Sequence, residues 1–248
     1  MPFHLVVEPQ EENAYREYQD RLLLLPENDQ GLIFARNWMK AHSIAAGCAR
    51  HWQLDDNIRG MIGWHGTARI RLRSGVGLAA MEDFCDRYEN VAVAGPNYGT
   101  FAITGTGEKK PVPFALNVHV YSASLILNSL PLIWRSRYND DTDFCLQALA
   151  SGWCTVLFHA FLVEKLQTMH VKGGNTPIYQ ADGRLKMARA LERLWPGVVE
   201  TKRRFHRPQH MVKADWKKFD TPLRLKPGID LAALPPNDYG LKLVQRGV

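Results

Sequence analysis

Three oxygen-bearing side chains follow an apolar segment without interruption, since Asp55, Asp56 and Asn57 come directly after residues 51–54. Carboxylate and amide oxygens are ligands that Mg²⁺ and Mn²⁺ prefer. A cation held by Asp55 and Asn57 would in turn bind a diphosphate. The same residue types are common in β-turns, so the stretch taken alone favours an ordinary turn. Its chemistry therefore depends on what else the fold brings to it.

A second acidic group lies far along the chain, at Asp140, Asp141 and Asp143. Apolar residues at helical spacing follow, and Gly152 ends the pattern, so we expect a helix that begins at the acidic residues. The helix dipole keeps a carboxylate ionised at that position. The two acidic groups could form one site only if the fold joins them.

Basic residues and aromatic rings alternate between residues 202 and 218, within a chain of net charge +6 and pI near 9.2. Arginine and lysine bind phosphates, and aromatic rings stack on bases. The residues that would contact DNA are Arg203, Arg204, Lys213 and Trp216. A solvated basic face explains the charge equally well.

Composition sets broad limits on the fold and its location. With 248 residues and 46% hydrophobic content, the chain can form one large domain, with or without a small appendage. No apolar run has the length of a membrane span, and the N-terminus lacks the order of a signal peptide, so we expect a cytoplasmic protein without a membrane partner. The four cysteines lack C-x-x-C spacing and are expected to be reduced and mostly buried.

Short apolar segments alternate with helical patterns in the first part of the chain. Residues 5–7, 22–25 and 51–54 are predicted strands, and Asn28 or Asp29 is the predicted cap of the helix that precedes the third. Such an order is typical of a doubly wound parallel sheet, in which ligands bind beyond the carboxyl ends of the strands. Asp55, Asp56 and Asn57 would lie at such an end.

Local patterns predict the remaining elements of the chain. The predictions are a loop or hairpin from Ile58 to about Gly77, helices at 78–88 and 183–195, strands at 91–94, 114–121 and 154–158, a short helix or turn at 124–130, and an extended or partly ordered Pro-rich tail from Thr221.

This order of elements resembles the nucleotide-sugar glycosyltransferases of the GT-A fold. Residues 54–57 match the D-x-D motif of those enzymes, and residues 139–143 match the x-E-D motif with its following helix. Residues 113–121, 137–143 and 172–175 are more narrowly similar to the TET/JBP-associated glycosyltransferases. Those proteins occur largely in bacteriophages and are linked to modification of 5-hydroxymethylated pyrimidines in DNA. Asn57 and Asp140 depart from the motifs, which have Asp and Glu at these places.

The resemblance covers roughly residues 5–212. It implies an α/β fold of GT-A type, with a Rossmann-like mixed sheet flanked by helices. The expected division is a GT-A glycosyltransferase domain over residues 1–220 and a Pro-rich C-terminal strap over residues 221–248.

The resemblance also implies a role for individual residues. Asp141 would be the general base, with Asp140 or Asp143 as alternatives. Asp55 and Asn57 would bind Mn²⁺ or Mg²⁺, with His210 as a third ligand, and Asp56 would position the ribose or sugar. The residues expected to bind the rest of the donor are Val7, Glu8 and Pro9 at the uracil, Arg36 at a phosphate, and Gly173, Gly174 and Asn175 in a lid or a simple turn.

The function implied is metal-dependent, inverting transfer of a sugar from a UDP-sugar to 5-hydroxymethylcytosine in double-stranded DNA. The enzyme would act in the cytoplasm, that of the host cell if a phage encodes it. Base flipping and access through the major groove both stay open. The alternatives are a GT-A transferase acting on a protein or glycan, and a non-catalytic DNA-binding module.

Overall fold

The computed structural model describes residues 2–65, 68–101, 112–121, 123–166, 183–204 and 206–236. The predicted donor residues Gly173, Gly174 and Asn175 lie outside these ranges.

The strands are β1 Leu5–Val7, β2 Leu22–Leu24, β3 Arg50–Leu54, β4 Ile58–His65, β5 Ala68–Leu72, β6 Val91–Tyr98, β7 Phe114–Leu116, β8 Ala123–Leu127, β9 Cys154–Lys165, β10 Val199–Arg204 and β11 Arg207–Val212. The helices are α1 Gly31–Ala45, α2 Val76–Asp86, α3 Asp140–Ala150 and α4 Gly183–Leu194, with 3-10 helices at Pro9–Arg21 and Lys213–Trp216.

A mixed seven-stranded sheet is the centre of the fold, with strand order β3-β8-β6-β9-β4-β5 and β7 beside β9. β8 is antiparallel to both β3 and β6, while β6 and β9 are parallel. Strands β3, β6 and β9 therefore run in the same direction, and their carboxyl ends meet at one edge of the sheet. This α/β architecture, a mixed sheet with helices on its faces, confirms the predicted fold class.

Helices cover both faces of the sheet because its central strands are apolar on both sides. Val93 of β6 packs with α1 and α3 on one face, and Ala94 packs with α2 on the other. Successive side chains of a strand point to opposite faces, so neighbouring apolar residues in one strand serve two cores. α1 and α3 therefore lie on the same face, and each begins or passes near the edge where β3, β6 and β9 end.

The prediction that three N-terminal strands form one parallel layer is wrong. β1 and β2 form a separate parallel pair, whereas β3 pairs antiparallel with β8 in the large sheet. The cause is β8, which was predicted to be a short helix or turn. Four of its five residues are buried, and a short, continuously apolar strand cannot be distinguished from a helical segment by periodicity.

Several elements begin or end at other residues than predicted. Residues 114–121 form a strand only as far as Leu116, because Asn117 has a left-handed backbone with φ 56°. β6 and β9 continue beyond their predicted ends, to Tyr98 and Lys165.

The cap of α1 is Gln30, since the Asn28 side chain instead accepts a hydrogen bond from the Gln10 backbone. The predicted hairpin after Ile58 is confirmed as β4 and β5.

The C-terminal part of the described chain packs against α3 and α2. β10 and β11 form an antiparallel hairpin whose Val199 and Val212 pack with Leu146 of α3 and Leu191 of α4. Beyond it, an extended segment is tied to the sheet through Asn90, whose amide donates to the Pro222 carbonyl and accepts from the Arg224 backbone.

The structure shows the state of the cysteines and the length and apolarity of the helices. Three of the four cysteines are buried, Cys48 is exposed, and all are free, as predicted. Among the described residues, no helix is both long and apolar enough to cross a membrane.

Candidate active site

The edge of the sheet where β3, β6 and β9 end carries most of the polar side chains of interest. Asp55 directly follows β3, Tyr98 ends β6 and Lys165 ends β9. Tyr121 lies just before β8, which starts at the same edge because β8 is antiparallel to its neighbours. The carboxyl ends of strands are where open α/β sheets bind ligands, so this edge is the candidate active site.

Asp55 is held by two cations from different elements. Arg36 of α1 donates to Oδ1 over 3.0 Å, and Lys165 Nζ donates to Oδ2 over 3.2 Å. The Asp55–Ile58 segment is a turn, closed by a backbone hydrogen bond of 3.4 Å between Ile58 N and the Asp55 carbonyl. The turn predicted for this stretch is therefore present, and its first carboxylate is bound by two cations.

Arg36 joins the two acidic groups that are far apart in the chain. Besides its bond to Asp55, its Nε lies 3.2 Å from Oδ2 of Asp140, an ion pair whose angle is unsuitable for a hydrogen bond. Its guanidinium also stacks on the Trp134 ring, 4.4 Å from the ring centre. Burial raises the pKa of Asp140 to about 6, against the opposing effect of the Arg36 charge. Asp140 therefore binds its proton more tightly than an exposed aspartate does.

Asp141 has a different partner. Its Oδ2 lies 3.0 Å from Nε2 of His119, and its Oδ1 accepts a 2.7 Å hydrogen bond from the Thr142 backbone at the start of α3. Burial alone would raise the pKa of Asp141, but the charge and hydrogen bond of His119 and the Thr142 amide outweigh burial and lower it strongly. The Asp141 side chain is 29% exposed, so an ionised carboxylate can be reached by a ligand.

Asp143, the third candidate base, is a structural residue. Only 1% of it is exposed, and Arg135 binds both of its oxygens at 3.0 Å. The Trp195 indole donates to Oδ1 over 2.7 Å, and Gln147 donates to Oδ2 over 3.0 Å. A fully bonded, inaccessible carboxylate cannot accept a proton from a substrate, which leaves Asp140 and Asp141.

His210 and Trp216 lie on the Asp141 side of the site. Burial lowers the pKa of His210, helped by the His119 charge and opposed by Asp141, so His210 is neutral at pH 7. The Trp216 ring lies 6.4 Å from the His119 ring and nearly parallel to it, at 15°. It also packs on the apolar cluster between α3 and α4. Trp216 is therefore half-buried beside the site.

The described residues fit the expected metal site poorly. Both oxygens of Asp55 are already bound by cations. No three His, Cys, Asp or Glu side chains converge as metal ligands within the described ranges. Oδ1 of Asn57 is buried without a hydrogen-bond partner, which is the one feature that suits a cation. The Mn²⁺ or Mg²⁺ ion stays a prediction, which a Mn²⁺ titration of UDP binding tests.

The predicted donor residues other than Arg36 are placed as follows. Val7 and Glu8 lie where β1 passes into the 3-10 helix that begins at Pro9, and the Val7 carbonyl accepts from the Leu25 backbone. Asp56 is exposed in the turn after β3. The contacts of these residues do not test their predicted binding of uracil or sugar, so those roles stay predictions.

The predicted DNA-binding residues separate into two groups. Arg203 and Arg204 are exposed at the tip of the β10–β11 hairpin, and Lys213 is exposed just after β11. Trp216 instead packs at the site, as described. The hairpin also carries Arg207, which pairs with Arg204 across the strands and adds another exposed positive charge.

Sequence reasoning missed Lys165 and assigned His119 no role. Lys165 belongs to β9, and the apolar run Phe161–Val163 beyond the predicted end was the signal that the strand continues. His119 follows the left-handed Asn117, and its pairing with Asp141 joins residues with no shared motif. Tyr98 and Tyr121, whose rings stack at 4.5 Å, were also unassigned.

Comparison with known families finds a match over the first part of the chain. The sequence model described as TET-associated glycosyltransferase matches residues 1–174, which is more than half of the chain. The match includes Asp55, Arg36, His119, Asp141 and Lys165, while α4 and the β10–β11 hairpin lie beyond it. A comparison with curated proteins found no match.

Proposed function

Since this chain belongs to the TET-associated glycosyltransferase family, we propose that it transfers a sugar from a UDP-sugar to the hydroxymethyl group of 5-hydroxymethylcytosine in DNA, with inversion. One observation carries the proposal. Arg36 connects Asp55, at the end of β3, with the acidic start of α3, so that charged groups for a diphosphate and a carboxylate for an acceptor lie together. Neither group alone would distinguish an enzyme from a surface turn.

The acceptor chemistry falls to Asp141. The hydroxymethyl oxygen attacks the anomeric carbon from the face opposite the diphosphate, the carbon–oxygen bond to UDP breaks, and UDP leaves with the bonding electron pair. The acceptor proton passes to the Asp141 carboxylate. The attacking hydroxyl becomes strongly acidic as its new bond forms, so a carboxylate of lowered pKa can accept that proton. His119 positions Asp141 through the 3.0 Å contact.

The donor chemistry falls to Arg36 and Lys165. Both are mostly buried, with 7% and 19% of their side chains exposed, and cations in such surroundings interact strongly with developing negative charge. Burial would lower the pKa of Lys165, but Asp55 and the Tyr98 hydroxyl raise it overall, so the ammonium stays protonated. These charges would stabilise the departing UDP.

The basic hairpin supports DNA as the acceptor. Thr201 and His210 form a cross-strand pair, and Arg203 lies two residues further along β10, about 7 Å from that pair. Trp216 follows the hairpin closely and lies beside His119, which binds Asp141, so the hairpin joins the acceptor side of the site to its charged tip. Positive charge at this distance suits the phosphates that flank an acceptor nucleotide.

A donor and acceptor screen tests the proposal. The chain is incubated with UDP-glucose or UDP-N-acetylglucosamine and duplex DNA containing 5-hydroxymethylcytosine, and the digested nucleosides are weighed by mass spectrometry. We expect a mass gain of one sugar on the modified nucleoside and none on cytosine in matched unmodified DNA. Sugar appearing only on a protein or glycan acceptor, or on none, would overturn the proposal.

A further inference from the structure

Three aromatic rings form a cluster at the edge of the active site, and in the reaction outlined above none of them contacts a substrate. Tyr98 and Tyr121 stack with ring centres 4.5 Å apart, and Phe101 lies 5.5 Å from Tyr98 and 5.8 Å from Tyr121. The two tyrosines are half-buried, whereas Phe101 is 56% exposed. We call these three residues the aromatic platform.

The aromatic platform contacts both halves of the site. Lys165, which binds Asp55, also lies 3.4 Å from the Tyr98 hydroxyl. On the other side, the His119 ring is 4.4 Å from the Tyr121 ring, and His119 in turn binds Asp141. A molecule resting on these rings would therefore be adjacent both to the donor cations and to the carboxylate that accepts the proton.

Neutral, partly exposed aromatic rings suit a flat ligand that can stack on them. Burial, with smaller effects from Tyr98 and Asp141, raises the pKa of Tyr121 to about 12, so its ring stays neutral at working pH. Stacking of a nucleobase on aromatic side chains contributes about 1–3 kcal/mol per base. A core role would cover all three rings, but Phe101 presents most of its surface to solvent.

The charge around the platform favours a nucleobase of DNA. Arg203, Arg204 and Arg207 are exposed on the hairpin that leads to Trp216, whose ring lies beside His119, the neighbour of Tyr121, so a polyanion bound there would bring its bases toward the rings. A base within a duplex is stacked on both faces by its neighbours. It can stack on protein rings only after it leaves the helix, and the platform would replace part of the lost stacking.

We propose that Tyr98, Phe101 and Tyr121 form the acceptor subsite, on which the pyrimidine stacks after it is extruded from the duplex. The inference rests on the proposed function and adds how the acceptor is presented. It excludes reaction in the intact major groove, where the base would keep its neighbours.

Substitution of Phe101 tests the subsite because it should change the kinetics with DNA and leave those with the UDP-sugar unchanged. We expect Phe101→Ala to lower kcat/KM for modified duplex DNA by roughly 5- to 150-fold, to leave the KM for the UDP-sugar unchanged, and to be rescued by Phe101→Trp. The matched control is Phe3→Ala, since Phe3 is 47% exposed and lies outside the site. A raised donor KM with unchanged DNA kinetics would assign the rings to the sugar and overturn the proposal, as would kinetics equal to the wild type.

Extrusion is measured separately with 2-aminopurine placed next to 5-hydroxymethylcytosine, in the absence of donor. The wild-type chain should increase the fluorescence as the neighbouring base leaves the stack, and Phe101→Ala should reduce that increase. Sugar transfer without a fluorescence increase would overturn the subsite while leaving the proposed function intact. A wild-type chain that transfers sugar to no hydroxymethylated DNA would instead refute the proposed function.

Discussion

Asp140 and Asp141 are neighbours in the chain but differ in proton affinity. Burial raises the pKa of Asp140 to about 6, whereas the pKa of Asp141 is lowered strongly because His119 and the Thr142 amide outweigh its burial. Asp140 is engaged with Arg36, while Asp141 is the more exposed of the two. The carboxylate that stays ionised and reachable is therefore Asp141, whereas Asp140 pairs with Arg36, one of the two cations proposed to bind the donor.

This assignment predicts the pH dependence of the reaction. If Asp141 accepts the proton, kcat at saturating donor should stay constant as the pH falls from 8 to about 5, because a base of lowered pKa keeps its charge. His119→Ala removes the main cause of that lowering, so the pKa of Asp141 should rise and kcat should begin to fall at higher pH than in the wild type. His119→Gln, which retains a donor group, should restore the profile in part.

A different pH profile of kcat would make Asp140 the base. A wild-type kcat that falls with an apparent pKa near 6, and that loses this fall in Asp140→Asn, would make Asp140 the base. The profile therefore distinguishes the two carboxylates without relying on loss of activity, which either substitution could cause.

At the scale of elements, the β10–β11 hairpin connects the site to the proposed DNA-binding surface. Its root is anchored by Val199 and Val212 in the cluster with α3 and α4, and Thr201 donates to Glu192 of α4 over 2.7 Å. Its tip carries the exposed arginines. An anchored two-stranded ribbon can hold its charges in a fixed position relative to Asp141, which a disordered basic tail could not.

The hairpin predicts a salt dependence of DNA binding. The triple variant Arg203→Ala, Arg204→Ala, Lys213→Ala should bind DNA more weakly and should reduce the slope of log affinity against log salt by about 2 to 3, one unit per lost phosphate contact. Arg224→Ala, on an exposed arginine of the C-terminal segment, is the control and should leave the slope unchanged. A triple variant with the wild-type slope would make the hairpin an ordinary solvated surface.

The elements also show where sequence-based prediction succeeded and failed. Helices with clear apolar spacing, such as α3, and the strand before Asp55 were predicted because their periodicity is local. β8 was missed because a strand that is buried on both faces has no alternation, and its insertion between β3 and β6 separates two strands that run in the same direction. The pairs Lys165 with Asp55 and His119 with Asp141 depend on that strand order, so no local pattern could reveal them.

At the scale of the whole molecule, one sheet edge collects side chains from five places in the chain. The turn after β3, α1, the segment before β8, the start of α3 and the end of β9 supply Asp55, Arg36, His119, Asp141 and Lys165 respectively. Parallel directions of β3, β6 and β9 bring these places together. The family match covers all five, and it supports sugar transfer as the chemistry of this edge.

The central claim is that this edge performs the transfer and that Asp141 accepts the proton. The most direct measurement compares Asp141→Asn with the wild type, using the mass gain on 5-hydroxymethylcytosine DNA for turnover and calorimetry for UDP affinity, with the exposed Asp220→Asn as control. We predict that Asp141→Asn lowers turnover by about 100- to 10,000-fold and leaves UDP affinity unchanged. Retained turnover with weakened UDP binding would contradict the account.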